Sequence, residues 1–558
     1  MTQPWHGFIL LLTLISVVIT VLSLLNATYL RTLIDAAAAG EQELFRSMVI
    51  RMMLNLAAEM LFYVLNDYLS YRTAYQIQSS LQQRLFDTLL KKDFPRISEK
   101  HTGEWMNRIT GDTDGLSDLI AHVLPGMAGV VLRFIGATWL LLNVSLLFLP
   151  VMLAGIIFFA ALTLITRKSM ITRQRELREA QGNTRSFFTD VLSQMMIVKA
   201  FNREELTGRR GDELLKTEYN MKMRRYLVTL YKNTVQNAGF KFGLQIIIIF
   251  AAYHLLNARL SYGSLTMCFR LLTQIRDPLN SFGNYINNIF DYIVSVERLR
   301  EAESYPDDPA CPVKSDEEIK DFYKNRFQGI RFRDVSFSYR DPNTEALFTA
   351  PKVFSHVDLT LMKQSFTAFT GMTGSGKSTI FKLLMSLYPL DSGSKVIRYQ
   401  DGSEDELDAS YRRLFAYVPQ GNQLMTGSIR EIVAFSDKTI PQDDEGIRKA
   451  LEIACALEFV EKLPKGLDTQ IREKGLGLSE GQVQRLAIAR AIYTGRPILL
   501  LDEATSSLDE KTEQELLEHL KALTDRTVLI VTHRPAALSI CDSEVHIDTE
   551  SVIIRKLK

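Results

Sequence analysis

Residues Gly371, Met372, Thr373, Gly374, Ser375, Gly376, Lys377 and Ser378 match the phosphate-binding pattern G-x-x-x-x-G-K-[ST] without a gap. Residues 365–370 before it alternate polar and apolar side chains and predict a strand, and the run from Thr379 to Met385 has helical spacing. In that setting the glycines let backbone N–H groups wrap phosphates, and the helix N-terminus adds its positive end. Lys377 would neutralise β- and γ-phosphate charge, the Ser378 hydroxyl would ligate Mg²⁺, and Thr379 would line the same pocket. A glycine-rich turn with a stray lysine is the bland alternative, but every fixed position is filled in the right context. The pattern predicts binding of ATP or GTP.

Further groups follow along the chain. Residues 497–501 form an apolar run ending in Asp502, with Glu503 next. Asp502 would hold Mg²⁺, and Glu503 is placed to polarise an attacking water. His533 ends a second apolar run, residues 527–532, and Gln420 closes residues 415–419 in the same way. Single polar residues at strand ends are more often structural, yet strand C-termini in α/β sheets are where ligands bind. Leu478, Ser479, Glu480, Gly481 and Gln482 precede the helical run 483–491, so their serine and glycine predict a second phosphate site at a helix N-terminus.

These groups sit in the last part of a long chain. Its 558 residues suggest two or three domains, and a net charge of +1 gives no basic surplus for nucleic acid. The four cysteines lack metal-ligand spacing, and no cleavable signal is evident. The first 300 residues hold the long apolar runs. Six spans are expected, at about 7–30, 47–69, 123–143, 145–166, 238–257 and 264–290, with the third and fourth forming a tight hairpin around Asn143, Val144 and Ser145. Arg and Lys crowd the two long connections, which places those loops and both termini in the cytoplasm. Residues 80–90 and 187–201 are amphipathic at helical period, so these loops read as helical extensions of the spans. A polar, Pro- and acid-containing stretch, 301–325, reads as a linker between a transmembrane domain (1–300) and a nucleotide-binding domain (326–558).

On the sixth span Arg270, Gln274, Asp277, Ser281, Asn284 and Asn288 fall at steps of four and three and share one helix face. A polar stripe is expensive in lipid, so it should face water or protein. Both a hydrated pathway and a helix–helix contact satisfy that demand. Glu59 on the second span adds another buried charge, and the set hints at a polar or amphipathic substrate.

Taken in order, the motifs of residues 339–533 resemble the cassette of ATP-binding-cassette (ABC) proteins. Tyr339 looks like the aromatic residue that stacks on adenine, and Gln420 like the glutamine that senses Mg²⁺ and the membrane domain. Residues 478–482 are similar to the signature LSGGQ, and Ser507, Leu508 and Asp509 to the D-loop. His533 resembles the switch histidine, and residues 472–475 resemble the exporter loop that meets the coupling helices. The departure is Glu480, where the family has glycine. Six spans fused ahead of one cassette resemble exporter-type half-transporters such as bacterial lipid and multidrug exporters. The resemblance implies a membrane α-helical bundle fused to an α/β P-loop cassette, ATP and Mg²⁺ as cofactors, and a multi-pass protein of the inner (cytoplasmic) membrane. It also implies a second half-transporter as partner, by default an identical copy, with Lys377, Glu503 and His533 catalytic and an unidentified substrate exported. An exporter-fold importer and a non-pumping ATP-regulated subunit are the rival readings.

Overall fold

The computed structural model describes residues 5–144, 148–256, 260–309, 314–339, 352–421, 424–435, 443–471, 477–548 and 552–557. The chain divides into two units, one formed by Met1–Asp87 and Thr102–Glu303, the other by Thr88–His101 and Ser304–Lys558.

The first unit is helical. The six expected spans fall in order on His6–Ala39, Gln42–Lys91, Thr102–Val144, Phe148–Ser193, Glu204–Leu256 and Tyr262–Ser304. Among the described residues, the first, second, third and fifth of these stretches are long and apolar enough to cross a membrane. Large apolar side chains such as Leu10, Met53, Leu61, Ile135 and Ile249 stand exposed on them, as a lipid-facing surface requires. The first stretch ends at Gly40, whose φ of 75° lets its N–H bond back to the Ala36 and Ala37 carbonyls. The third is α-helical except for two π-helical turns, Arg108–Asp112 and Leu119–Val123. Within this unit the buried Arg108 donates to the Arg298 carbonyl at 3.0 Å and to Glu301 at 2.9 Å. The amphipathic segment 80–90 lies on a helix that continues beyond its apolar run, as expected; in 187–201 that continuation ends at Ser193, and a separate short helix, Met195–Ala200, follows.

The second unit is α/β. Strands β1 (Phe327–Ser338), β2 (Lys352–Met362), β4 (Ser392–Tyr399) and β5 (Glu404–Glu406) form an antiparallel sheet in the order β2-β1-β4-β5. The main sheet takes β3 (Phe366–Gly371), β6 (Phe415–Val418), β9 (Ile498–Asp502), β10 (Thr527–Val531), β11 (Ser543–Ile547) and β12 (Val552–Lys556), in the order β12-β11-β3-β10-β9-β6. A two-residue pair, β7 (Gly427–Ser428) and β8 (Gln470–Ile471), stands apart. Strands β3, β6, β9, β10 and β11 run parallel, and β3, β9 and β10 are buried along their whole length, which is why β9 and β10 read as apolar runs; β3 buries Thr367 and Thr370 as well, despite its alternating pattern. One apolar cluster packs the helices 444–453 and 480–493 on one face of this sheet, and another fills the space between the two sheets around Phe369 and Phe381.

The segment expected to be a linker is more ordered than its composition suggested. Residues 301–304 complete the sixth long helix, and Asp316–Asn325 is a helix with a full Ser315–Glu318 capping box. It buries Ile319, Phe322 and Tyr323 in the core of the second unit. The acidic residues that suggested a linker are its first turn, where the helix dipole favours them.

Candidate active site

Strand β3 delivers the chain into the loop 371–376, and the helix Lys377–Leu384 leaves it. Gly371, Gly374 and Gly376 have φ of 134°, 86° and 94°, in the left-handed region where a side chain is strained. A Cβ on Gly371 would also lie 2.1 Å from the Ile547 carbonyl oxygen. Lys377 folds back over the loop, its Nζ donating to the Gly371 and Met372 carbonyls at 2.8 Å each. Burial pushes its pKa down, against the pull of Glu503 and Asp502. The Ser375 hydroxyl is buried and has no hydrogen-bond partner among the described residues. That orphaned group, the lysine and the N–H groups of the loop fit a polyphosphate.

Asp502 ends β9 at 1% exposure. It accepts from the Ser378 hydroxyl at 2.9 Å through one oxygen and from the Tyr417 hydroxyl at 3.1 Å through the other. Burial pushes the Asp502 carboxyl above its ordinary value, opposed by those two hydrogen bonds. Ser378 and Asp502 thus form an oxygen pair of the kind a hard divalent cation takes. Glu503 follows in a left-handed backbone conformation, φ 52°, with its N–H donating to the Val531 carbonyl at 3.2 Å. Non-glycine residues pay for such geometry, and it turns this carboxylate out of the strand line. Gln420, exposed after β6, donates to Glu503 at 2.7 Å. His533 is exposed beyond the end of β10.

Tyr339 follows β1, and its hydroxyl meets that of Thr379 at 3.0 Å, with Lys382 above its ring. The structure therefore brings Tyr339, residues 371–379, Gln420, Asp502 and Glu503 to one end of the main sheet.

Leu478, Ser479, Glu480, Gly481 and Gln482 form a separate group at the start of the helix Glu480–Tyr493. Ser479 and Gln482 make a reciprocal capping box there. Glu480 is the exposed first residue of that helix, with φ outside the positive region, so its backbone does not demand glycine. Gly481 differs: a Cβ there would lie 2.8 Å from the Ser507 carbonyl oxygen. Leu508, next to Ser507, is buried, and Asp509 caps the next helix by accepting from the Thr512 N–H at 3.0 Å. Gln484 accepts from the Ser507 N–H, while Arg534 donates to the Ser506 and Leu508 carbonyls and to Glu513.

Motif spacing does not single out Tyr417, Gln484 or Arg534, because each acts by gripping a motif rather than belonging to one. Their signal is a polar side chain inside or beside an apolar run. Residues 472–475 lie outside the described residues, as do the side chains of Asp277, Ser281, Asn284 and Asn288. On the stripe Arg270 is exposed, and on the second long helix Glu59 is half-buried. Gln274 is buried and donates to the Ser23 carbonyl and hydroxyl of the first long helix at 3.0 and 3.1 Å. That is a helix–helix contact, in which an amide in an apolar bundle is stabilised by a protein partner.

Comparison with known proteins gives a consistent result. The family description "ABC transporter transmembrane region" matches residues 9–279, and "ABC transporter" matches residues 354–506. An ATP-dependent lipid A-core flippase of Photobacterium profundum is 27% identical over 490 residues, covering 86% of this chain and 80% of its own. An uncharacterized ABC transporter ATP-binding protein, YfiC of Bacillus subtilis, is 28% identical, covering 81% and 73%. The solved structure of a bacterial Atm1-family ABC exporter with ATP bound shares the fold, with a TM-score of 0.81, 22% identity, and coverage of 99% of this chain and 94% of that one.

Proposed function

The chain belongs to the ABC transporters, a membrane region fused to one ATP-binding cassette, and we propose that it works as one half of an exporter in which a dimer shares two ATP sites. The observation that carries this reading is the array Lys377, Ser378, Asp502, Glu503 and Gln420 around one phosphate-binding loop. Its chemistry is that of ATP hydrolysis. The loop N–H groups and Lys377 hold the β- and γ-phosphates, and Tyr339 offers its ring to adenine. Glu503 takes a proton from the attacking water, Gln420 orients that carboxylate, and His533 stabilises charge on the transferred phosphoryl group. Ser378 and Asp502, with Gln420 beside them, would hold Mg²⁺, which neutralises charge developing on the phosphates.

Residues 478–482 belong to the other ATP site. In the sandwich that the resemblance implies, Ser479 and Gly481 of one subunit meet the γ-phosphate held by the partner, and residues 507–509 lie at the same seam. A homodimer is the simplest assembly by symmetry, and a related second chain is the alternative. Closing of the cassettes on ATP and reopening on hydrolysis would drive the spans between inward and outward access. The bacterial inner membrane, with the cassette in the cytoplasm, is the location that fits the positive-inside pattern. Among relatives, the lipid A-core flippases put amphipathic lipids first among substrates to try. Fluorescent ATP binding by the purified chain tests the site: Lys377→Ala should weaken it at least tenfold, and unchanged binding would remove the phosphate loop from the account.

A further inference from the structure

Two long helices are stapled together inside the second unit. The Gln42–Lys91 helix ends where Lys92 forms an antiparallel β-bridge with Asp307, just past the end of the Tyr262–Ser304 helix. The Asp93 N–H donates to the Pro306 carbonyl at 3.0 Å and the Asp308 N–H to the Lys91 carbonyl at 2.8 Å. The nearly buried Lys92 ammonium pairs with Asp307 at 2.8 Å. Backbone bonds in both directions fix the register of the two segments, and the ion pair holds it.

The same segment grips the cassette. Asp308 takes a bidentate pair from Arg412, at 2.5 and 3.0 Å. The rest of that guanidinium is spent on the end of the P-loop helix: Nε donates to the Met385 carbonyl at 2.9 Å and a terminal nitrogen to the Ser386 carbonyl at 3.0 Å. Lys395 caps the Leu383 carbonyl beside it at 2.9 Å. Leu383 lies in the last turn of the short helix whose N-terminus begins the phosphate site, and Met385 and Ser386 follow directly on its end. Phe94, which opens the short helix Phe94–Ser98 after the staple, packs edge-on against Tyr388, which packs in the same way on Tyr339.

We propose that Asp308 and Arg412 form a strap that ties the staple of the second and sixth long helices to the P-loop helix of the same subunit, so that Arg412 positions that helix and Asp308 transmits its movement. A helix of eight residues is about 12 Å long and moves as a rigid rod, so phosphate at its N-terminus is felt at its C-terminal cap. The guanidinium's planar fork serves carbonyls on one edge and a carboxylate on the other, which lysine cannot reproduce. The inference rests on the ATP-site reading above and adds to it a route within one subunit that runs through the linker.

Hydrogen–deuterium exchange on the full chain in lipid nanodiscs tests it, with Glu503→Gln in all samples to hold ATP. With ATP and Mg²⁺ the parent should exchange at least threefold more slowly both at residues 371–384 and at the staple amides of Asp93 and Asp308. Asp308→Asn should keep the protection at 371–384 and lose it at Asp93, whereas Asp308→Glu should keep both. Arg412→Ala should raise the ATP concentration for half-protection at 371–384 about fivefold. ATP-dependent protection of Asp93 surviving in Asp308→Asn would overturn the strap, as would equal loss at both sites, which marks a folding defect. No ATP effect at 371–384 in the parent would instead overturn the nucleotide site itself, and the strap with it.

Discussion

Gln420 and Glu503 are bonded directly, the amide nitrogen 2.7 Å from the carboxylate oxygen, although they follow different strands and are 83 positions apart. The parallel pairing of β6 with β9 brings them together, because it sets Val418 beside Leu501 and lets both strands end at the same level. The glutamine thereby fixes the direction of a carboxylate whose own backbone is held at positive φ.

Gln420→Ala should therefore lower kcat for ATP about tenfold while leaving KM within about twofold, since general-base placement acts on the transition state. Steady-state ATPase kinetics across ATP concentration read both values. A rise in KM with kcat intact would assign Gln420 to binding instead.

The signature departure leads to an unequal pair of outcomes. Glu480 stands exposed on a helical first turn, where a carboxylate suits the dipole, so Glu480→Gly should change ATPase by no more than about twofold. Gly481→Ala puts a methyl 2.8 Å from the Ser507 carbonyl oxygen and should cost at least tenfold, because backbone cannot step aside as a side chain can. Equal effects of the two substitutions would contradict this account of the helix start.

Lys395 gives a pH signature. Burial holds its pKa at about 8, with Arg412 adding to the depression and Glu406 and Asp408 opposing it. Between pH 8 and about 10.4 the unfolded chain binds the proton that the folded chain has released, so stability rises with pH across that window. Keeping the folded lysine charged at pH 7 costs on the order of 3 kcal/mol. Thermal unfolding of the full chain at pH 7.0 and 9.5 should show wild type gaining on Lys395→Met as pH rises. Parallel pH curves for the two proteins would refute it.

Much of this was legible in the chain. The phosphate loop, the apolar strand before Asp502 and the six apolar runs each depend on local pattern, and local pattern survives folding. The contacts among them do not show in spacing. Gln274 sits in a stripe whose periodicity fits a pathway or a helix–helix contact alike, and only packing shows Ser23 as its partner. Residues 316–325 look like a linker because their charges outnumber their apolar groups, yet three side chains at helical spacing, Ile319, Phe322 and Tyr323, are enough to dock them. Arg412 and Asp308 lie 104 positions apart, with nothing in either neighbourhood to announce the other.

The central claim is that this chain hydrolyses ATP at a site completed by a second half-transporter. ATPase activity of the purified chain in lipid nanodiscs, with Glu503→Gln beside it, tests that most directly. The account predicts robust turnover from the chain alone, falling at least a hundredfold in the variant while ATP binding persists. Turnover that survives in Glu503→Gln would contradict the assignment of the base, and a folded, ATP-binding chain without turnover would contradict the homodimer.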